Sequence, residues 1–122
     1  MHNIQDSSEN YLEAIYMLNK EHGTVRSIDI ANHLSLSRPS VSKAMKKLEE
    51  EGHVIMHEDG ELELTATGKK IGQQISERHV LLHKLLVKMG VPDHLAEEDA
   101  CKLEHAMSQE TFEHIKRYVQ ED

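Results

Sequence analysis

Apolar side chains recur at helical spacing over most of this chain and alternate in only one short region. Tyr11, Leu12, Ile15, Tyr16 and Leu18 predict a first helix, opened by Ser8-Glu9 and stopped near His22-Gly23, where glycine suits a C-terminal cap. Val25 leads to Ser27, a natural N-cap for a short helix Ile28–Leu34 with Ile28, Ile30, Ala31 and Leu34 as its apolar positions. A tight turn, Ser35-Leu36-Ser37, precedes a helix from Arg38 to Glu51, with Ser37 as its cap and Pro39 early enough to be tolerated. That helix turns Val41, Ala44, Met45 and Leu48 inward. Two β-prone runs, Val54–Glu58 and Glu61–Thr65, flank Asp59-Gly60 and predict a hairpin. Thr65–Gly68 opens a long helix reaching Lys88, with Ile71, Ile75, Val80, Leu82, Leu85 and Leu86 as its apolar positions. Gly90-Val91-Pro92 breaks it, a helix from about His94 to Met107 follows, and Ser108 caps a last one over Gln109–Val119.

Helix, short helix, tight turn, helix, hairpin is the order of a winged helix-turn-helix. The fold class expected is therefore mainly α with a small β-hairpin. An N-terminal winged helix-turn-helix (1–65) precedes an α-helical region (66–122).

Composition sharpens the picture through its distribution. The 122 residues carry a net charge of −8, which argues against a generic nucleic-acid binder. Yet Ile30–Leu48 holds Arg38, Lys43, Lys46 and Lys47 and no acid, a basic island on an acidic protein. As the second helix of the turn pair, Arg38–Glu51 would enter a major groove. Its outward Ser37, Arg38, Ser40, Ser42, Lys43, Lys46 and Lys47, with Pro39 and with Ser27 ahead of the first helix, form the candidate DNA-binding set. Hydroxyls can serve phosphates or base edges, while lysines mainly neutralise phosphate. The hairpin tip Glu58-Asp59-Gly60-Glu61 is acidic and should grip DNA weakly. No apolar run approaches the roughly 18 residues of a membrane span, and no apolar signal segment opens the chain. A cytoplasmic protein without membrane contact is expected.

Cys101, Glu104 and His105 bring a thiolate, a carboxylate and an imidazole to i, i+3, i+4 positions, one face of a helix. This mixture suits a borderline divalent ion. Cys101 is the only cysteine, so no intramolecular disulfide explains it.

The segments Ser8–Leu18, Ser40-Val-Ser42, Leu64–Lys69, Arg78-His-Val-Leu-Leu82 and Ala100-Cys-Lys-Leu-Glu-His105 resemble, in order, the diphtheria-toxin-repressor and manganese-transport-regulator family of metal-activated transcriptional repressors. The resemblance implies the short form, without an SH3-like domain, whose helical region both dimerises and holds metal. It implies metal ligands at Asn10 and Glu13 on the first helix, His79 on the long helix, and Cys101, Glu104 and His105, with His83 and Glu97 as outer positions. Asn10 departs from the family, whose members carry Met or Asp there; an amide oxygen is a neutral, weak ligand. Cys101 leans to iron-type chemistry, so Fe2+ is expected first and Mn2+ next, with Zn2+ or Co2+ as activators in vitro. The expected partners are a second copy, divalent ions and a palindromic double-stranded operator of metal-uptake genes.

Two rivals remain. A winged-helix redox or ligand sensor would use Cys101 without metal. A metallohydrolase could activate water with the same donors, but it would leave the basic helix idle and lacks a separate general base. The chain is not expected to be an enzyme.

Overall fold

The computed structural model describes residues 4–120, with side chains from Ser8 onward. Its elements are α1 (Ile4–His22), β1 (Val25–Arg26), α2 (Ser27–Leu34), α3 (Arg38–Glu50), β2 (Val54–Met56), β3 (Glu61–Leu64), α4 (Ala66–Lys88), α5 (Asp93–Leu103) and α6 (Gln109–Gln120). The helices and the small antiparallel sheet make it mainly α, as the hydrophobic pattern predicts. Two compact units divide inside α4, the first ending at Gln73 and the second starting at Gln74.

In the first unit, Leu12, Ile15, Ile30, Val41, Met45, Leu48, Val54 and Leu62 are at most 2% exposed and form one core. The sheet order is β1-β3-β2, with Val25 opposite Leu62 and Val54 opposite Leu64. β1 is absent from the sequence reading because two residues cannot show an alternation. Edge strand β2 is closed by Glu49, whose Oε2 accepts the Met56 N–H at 3.0 Å. Within the acidic run Glu49-Glu50-Glu51, Glu49 thus ties α3 to the wing.

Several expected boundaries move. α1 starts at Ile4 rather than after Ser8-Glu9, since no Gly or Pro interrupts the preceding residues. Ser27 is the first helical residue of α2 rather than its cap; Arg26 holds the cap position, and Asp29 Oδ2 accepts its N–H at 2.8 Å. The turn after α2 places Ser35 at φ 56°, and the Leu36 N–H reaches the Ala31 carbonyl at 3.0 Å. Ile28 (36% exposed) and Val80 (61% exposed) lie outside the core despite their helical spacing. Isolated exposed apolar residues are ordinary on protein surfaces.

The second unit buries Ile75, Leu82, Ala96, Ala100, Phe112 and Val119. α5 stops at Leu103, short of the Met107 expected, and Ser108 caps α6 by accepting the Thr111 N–H at 3.1 Å. Arg78 holds the residues that follow α5: its Nη1 donates to the carbonyls of Glu104 (3.0 Å) and Met107 (2.8 Å), groups left without an intrahelical donor past the end of a helix. No helix among the described residues is long and apolar enough to cross a membrane.

Gly72 shows how closely α4 meets α1 within the first unit. A Cβ there would lie 2.7 Å from the Leu12 carbonyl oxygen and 2.9 Å from Tyr16 Cβ. Alanine gains about 1 kcal/mol of helix propensity over glycine, whereas overpacking costs about 1–3 kcal/mol. Because backbone supplies the nearest atom, the clash should win. Gly72→Ala should lower the urea midpoint; an unchanged or raised midpoint would show that the two helices separate freely.

Candidate metal centre and nucleic-acid interface

In the second unit a carboxylate stands where water cannot reach it. Glu104 is 0% exposed, and neither of its oxygens has a hydrogen-bond partner among the described residues. Two imidazoles face it: His79 Nδ1 lies 3.2 Å from Oε2 and His105 Nε2 lies 3.6 Å from Oε1. The His79 contact is an ion pair too poorly aligned to count as a hydrogen bond. Leaving a buried carboxylate in this state costs several kcal/mol unless a cation compensates it.

In the metal-free protein that cation is a proton. The Glu104 carboxylate, aided by Glu97 and opposed by partial burial, raises the His79 pKa to about 9. The ring sits between two acids, since its Nε2 also lies 2.8 Å from Glu97 Oε1. Replacing the Nδ1 proton with a divalent ion would leave Nε2–H donating to Glu97, the carboxylate–histidine–metal arrangement by which outer residues orient a ligand. The buried carboxylate and the His79 imidazole are donors that suit a divalent metal ion, with His105 beside the second carboxylate oxygen.

The other expected metal residues are distributed unevenly. His83 stacks parallel to His79 at 6.4 Å, with its Nε2 3.0 Å from Asp93 Oδ1 and 3.8 Å from Glu97 Oε2. Asp93 was not anticipated; following Pro92, it reads as an ordinary acid of a helix first turn. Cys101 is exposed on α5, and Ala100 holds the buried position one turn before Glu104. In the first unit, Asn10 is half-buried and Glu13 buried on α1.

The candidate nucleic-acid interface is the exposed face of α3. Ser37 caps this helix, accepting the Ser40 N–H at 3.3 Å and donating its hydroxyl to Ser40 Oγ at 2.8 Å. Val41, Met45 and Leu48 anchor one face, while Arg38, Pro39, Ser40, Ser42, Lys43, Lys46 and Lys47 are exposed on the other; Ser27 is half-buried at the start of α2. The wing's Arg26 and His57 are paired with its own acids, and the wing stays acidic. Arg26 pairs with Asp59 at 3.5 Å, and His57, raised above its ordinary pKa by its hydrogen bond to Glu63, pairs with that residue at 2.8 Å.

The model of the iron-dependent repressor N-terminal DNA-binding domain matches residues 3–62, and that of the iron-dependent repressor metal-binding and dimerisation domain matches residues 65–121. The chain belongs to the iron-dependent repressor family. This is a family of metal-dependent transcriptional regulators, not of enzymes. Among its relatives, the regulator MntR of Geobacillus thermodenitrificans is 38% identical over 119 residues, covering 95% of this chain and 84% of that one. MntR of Bacillus subtilis is 38% identical over 114 residues, covering 93% of this chain and 80% of that protein. The solved structure of the manganese regulator SloR superposes with a TM-score of 0.81 at 27% identity, over 93% of this chain. This family member spans 53% of the SloR chain, about half its length.

The His79 proton carries a testable consequence. With a folded pKa of about 9, His79 is protonated near neutrality and a metal must displace that proton. Apparent Mn2+ affinity should rise by nearly tenfold per pH unit from pH 6.5 to 8 and level off as pH nears 9. Isothermal titration at several pH values would show it. Affinity independent of pH over that window would remove His79 from the ligand set.

Proposed function

We propose that this chain is a cytoplasmic, homodimeric, metal-activated transcriptional repressor that binds a palindromic double-stranded DNA operator of metal-uptake genes. The observation that carries the reading is the buried Glu104 carboxylate facing His79 and His105 without a hydrogen bond. In this reading Glu104, His79 and His105 hold the ion, and Glu97 orients His79. Asn10, Glu13 and Cys101 join them on the family resemblance, with His83 at an outer position. Residues 1–65 form the DNA-reading head and 66–122 the dimerisation and metal-binding part.

Mn2+ is the favoured ion, ahead of Fe2+. The sequence argument for Fe2+ rests on the Cys101 thiolate, and that side chain is exposed while the buried donors are oxygen and nitrogen. Mn2+ accepts carboxylate and imidazole without needing sulfur. The relatives named MntR and the manganese regulator SloR point the same way. Zn2+ and Co2+ would activate in vitro. A bound ion supplies divalent positive charge to a protein of net charge −8, which lowers its repulsion of phosphate. The two α3 helices of a dimer would then present Arg38, Ser40, Lys43 and Lys46 to successive major grooves. The exposed thiol of Cys101 favours one alternative, a redox sensor working without metal. That alternative gives the bare Glu104 carboxylate no role.

Operator binding followed by fluorescence anisotropy tests the proposal. Wild type should bind with Mn2+ and release on chelation, and Glu104→Gln should lose the Mn2+ response. Lys43→Ala and Lys46→Ala should weaken binding to every sequence, each reducing the salt slope by about one unit. Metal-independent binding that is abolished by mild oxidation would instead establish the thiol sensor.

A further inference from the structure

Within the second unit, one side chain holds the backbone from which two proposed ligands project. α5 ends at Leu103 with Glu104 as its C-cap, whose N–H still reaches the Ala100 carbonyl at 3.0 Å, and His105 lies in the turn beyond. The turn that bears them is gripped by Arg78, the neighbour of His79 on α4. Its guanidinium donates from Nη1 to the Glu104 carbonyl (3.0 Å) and the Met107 carbonyl (2.8 Å), and from Nη2 to Gln109 Oε1 (2.9 Å). The plane lies over the Phe112 ring, 5.4 Å from its centroid. Adjacent residues of α4 thus hold Glu104 at both ends, Arg78 by its carbonyl and His79 by its carboxylate. Arg78 Nε is buried without an acceptor among the described residues, so the hydrogen bonding of the fork is directed at this turn.

We propose that Arg78 is a positioning residue for the metal centre, fixing the Glu104–Met107 turn so that the Glu104 carboxylate and His105 imidazole are preorganised for a divalent ion. The inference rests on reading Glu104 and His105 as ligands. Arginine suits the task because its planar fork reaches separate acceptors at once, which the single ammonium of lysine cannot do in the same geometry. Charge alone would work against a nearby cation, so the contribution is geometric.

The experiment compares Mn2+ affinity, by isothermal titration, and the metal-free unfolding midpoint for wild type, Arg78→Lys, Gln109→Ala and Glu104→Gln. Arg78→Lys keeps the charge and loses the fork. It should weaken Mn2+ binding about ten- to a hundredfold, the usual range for outer residues of metal sites. That loss should persist at 10 °C, far below unfolding. Gln109→Ala removes one exposed anchor and should cost about threefold, with little change in midpoint; it decides the matter if Arg78→Lys does not fold. Wild-type affinity in a folded Arg78→Lys, with Glu104→Gln unable to bind, overturns the positioning role and leaves the ligand assignment intact. Wild-type affinity in Gln109→Ala overturns it where Arg78→Lys is unfolded. Wild-type affinity in Glu104→Gln removes the ligand assignment and the positioning role together.

Discussion

A carboxylate stripped of water has to be compensated, and Glu104 faces two imidazoles, His79 and His105, with no hydrogen bond to either oxygen among the described residues. The features around it follow from that demand. The His79 pKa rises to about 9, Glu97 takes the far side of the same ring, and His105 closes on the other carboxylate oxygen. A proton on His79 can meet the demand only partly, because one positive charge is shared between two acids. A divalent ion held there would meet it more fully, and the proton it displaced would make occupancy depend on pH. The same carboxylate gives Arg78 its importance, since Glu104 caps the end of α5 and its carbonyl is held by Arg78.

The reading head works by a different balance. Its core holds α3 through Val41, Met45 and Leu48, leaving a face of cations and hydroxyls outward. The wing contributes little uncompensated positive charge, as Arg26 and His57 are paired with its own carboxylates. In the proposed function, affinity for phosphate would therefore concentrate on one helix of an otherwise acidic chain, and such a head would be sensitive to any change in the charge of the molecule that carries it.

Much of this was legible in the sequence because it depends on local periodicity. The apolar spacing of α1, α3 and α4, the Ser37 cap and the Asp59-Gly60 turn each fix an element without reference to distant residues. The centre was legible in part. The i, i+3, i+4 spacing singled out Glu104 and His105, whose side chains do lie together, but it assumed a helix running through Cys101, Glu104 and His105, whereas α5 ends at Leu103 with Glu104 as its cap and leaves Cys101 exposed. The turn past Leu103 is held by Arg78, which takes the Glu104 and Met107 carbonyls from 26 and 29 positions away in sequence. β1, the Asp93–His83 contact and the Glu49 bond to Met56 escaped for the same reason: each is created by a partner brought near only by folding.

The central claim, that the buried Glu104 carboxylate is the seat of a divalent ion, is tested most directly by anomalous diffraction at the manganese edge from crystals of the Mn2+-loaded protein. The account predicts an anomalous peak within bonding distance of Glu104 and of His79 Nδ1, with His79 Nε2 still on Glu97. A Mn2+-saturated crystal with no peak there, and Glu104 still facing His79 as it does without metal, would contradict it.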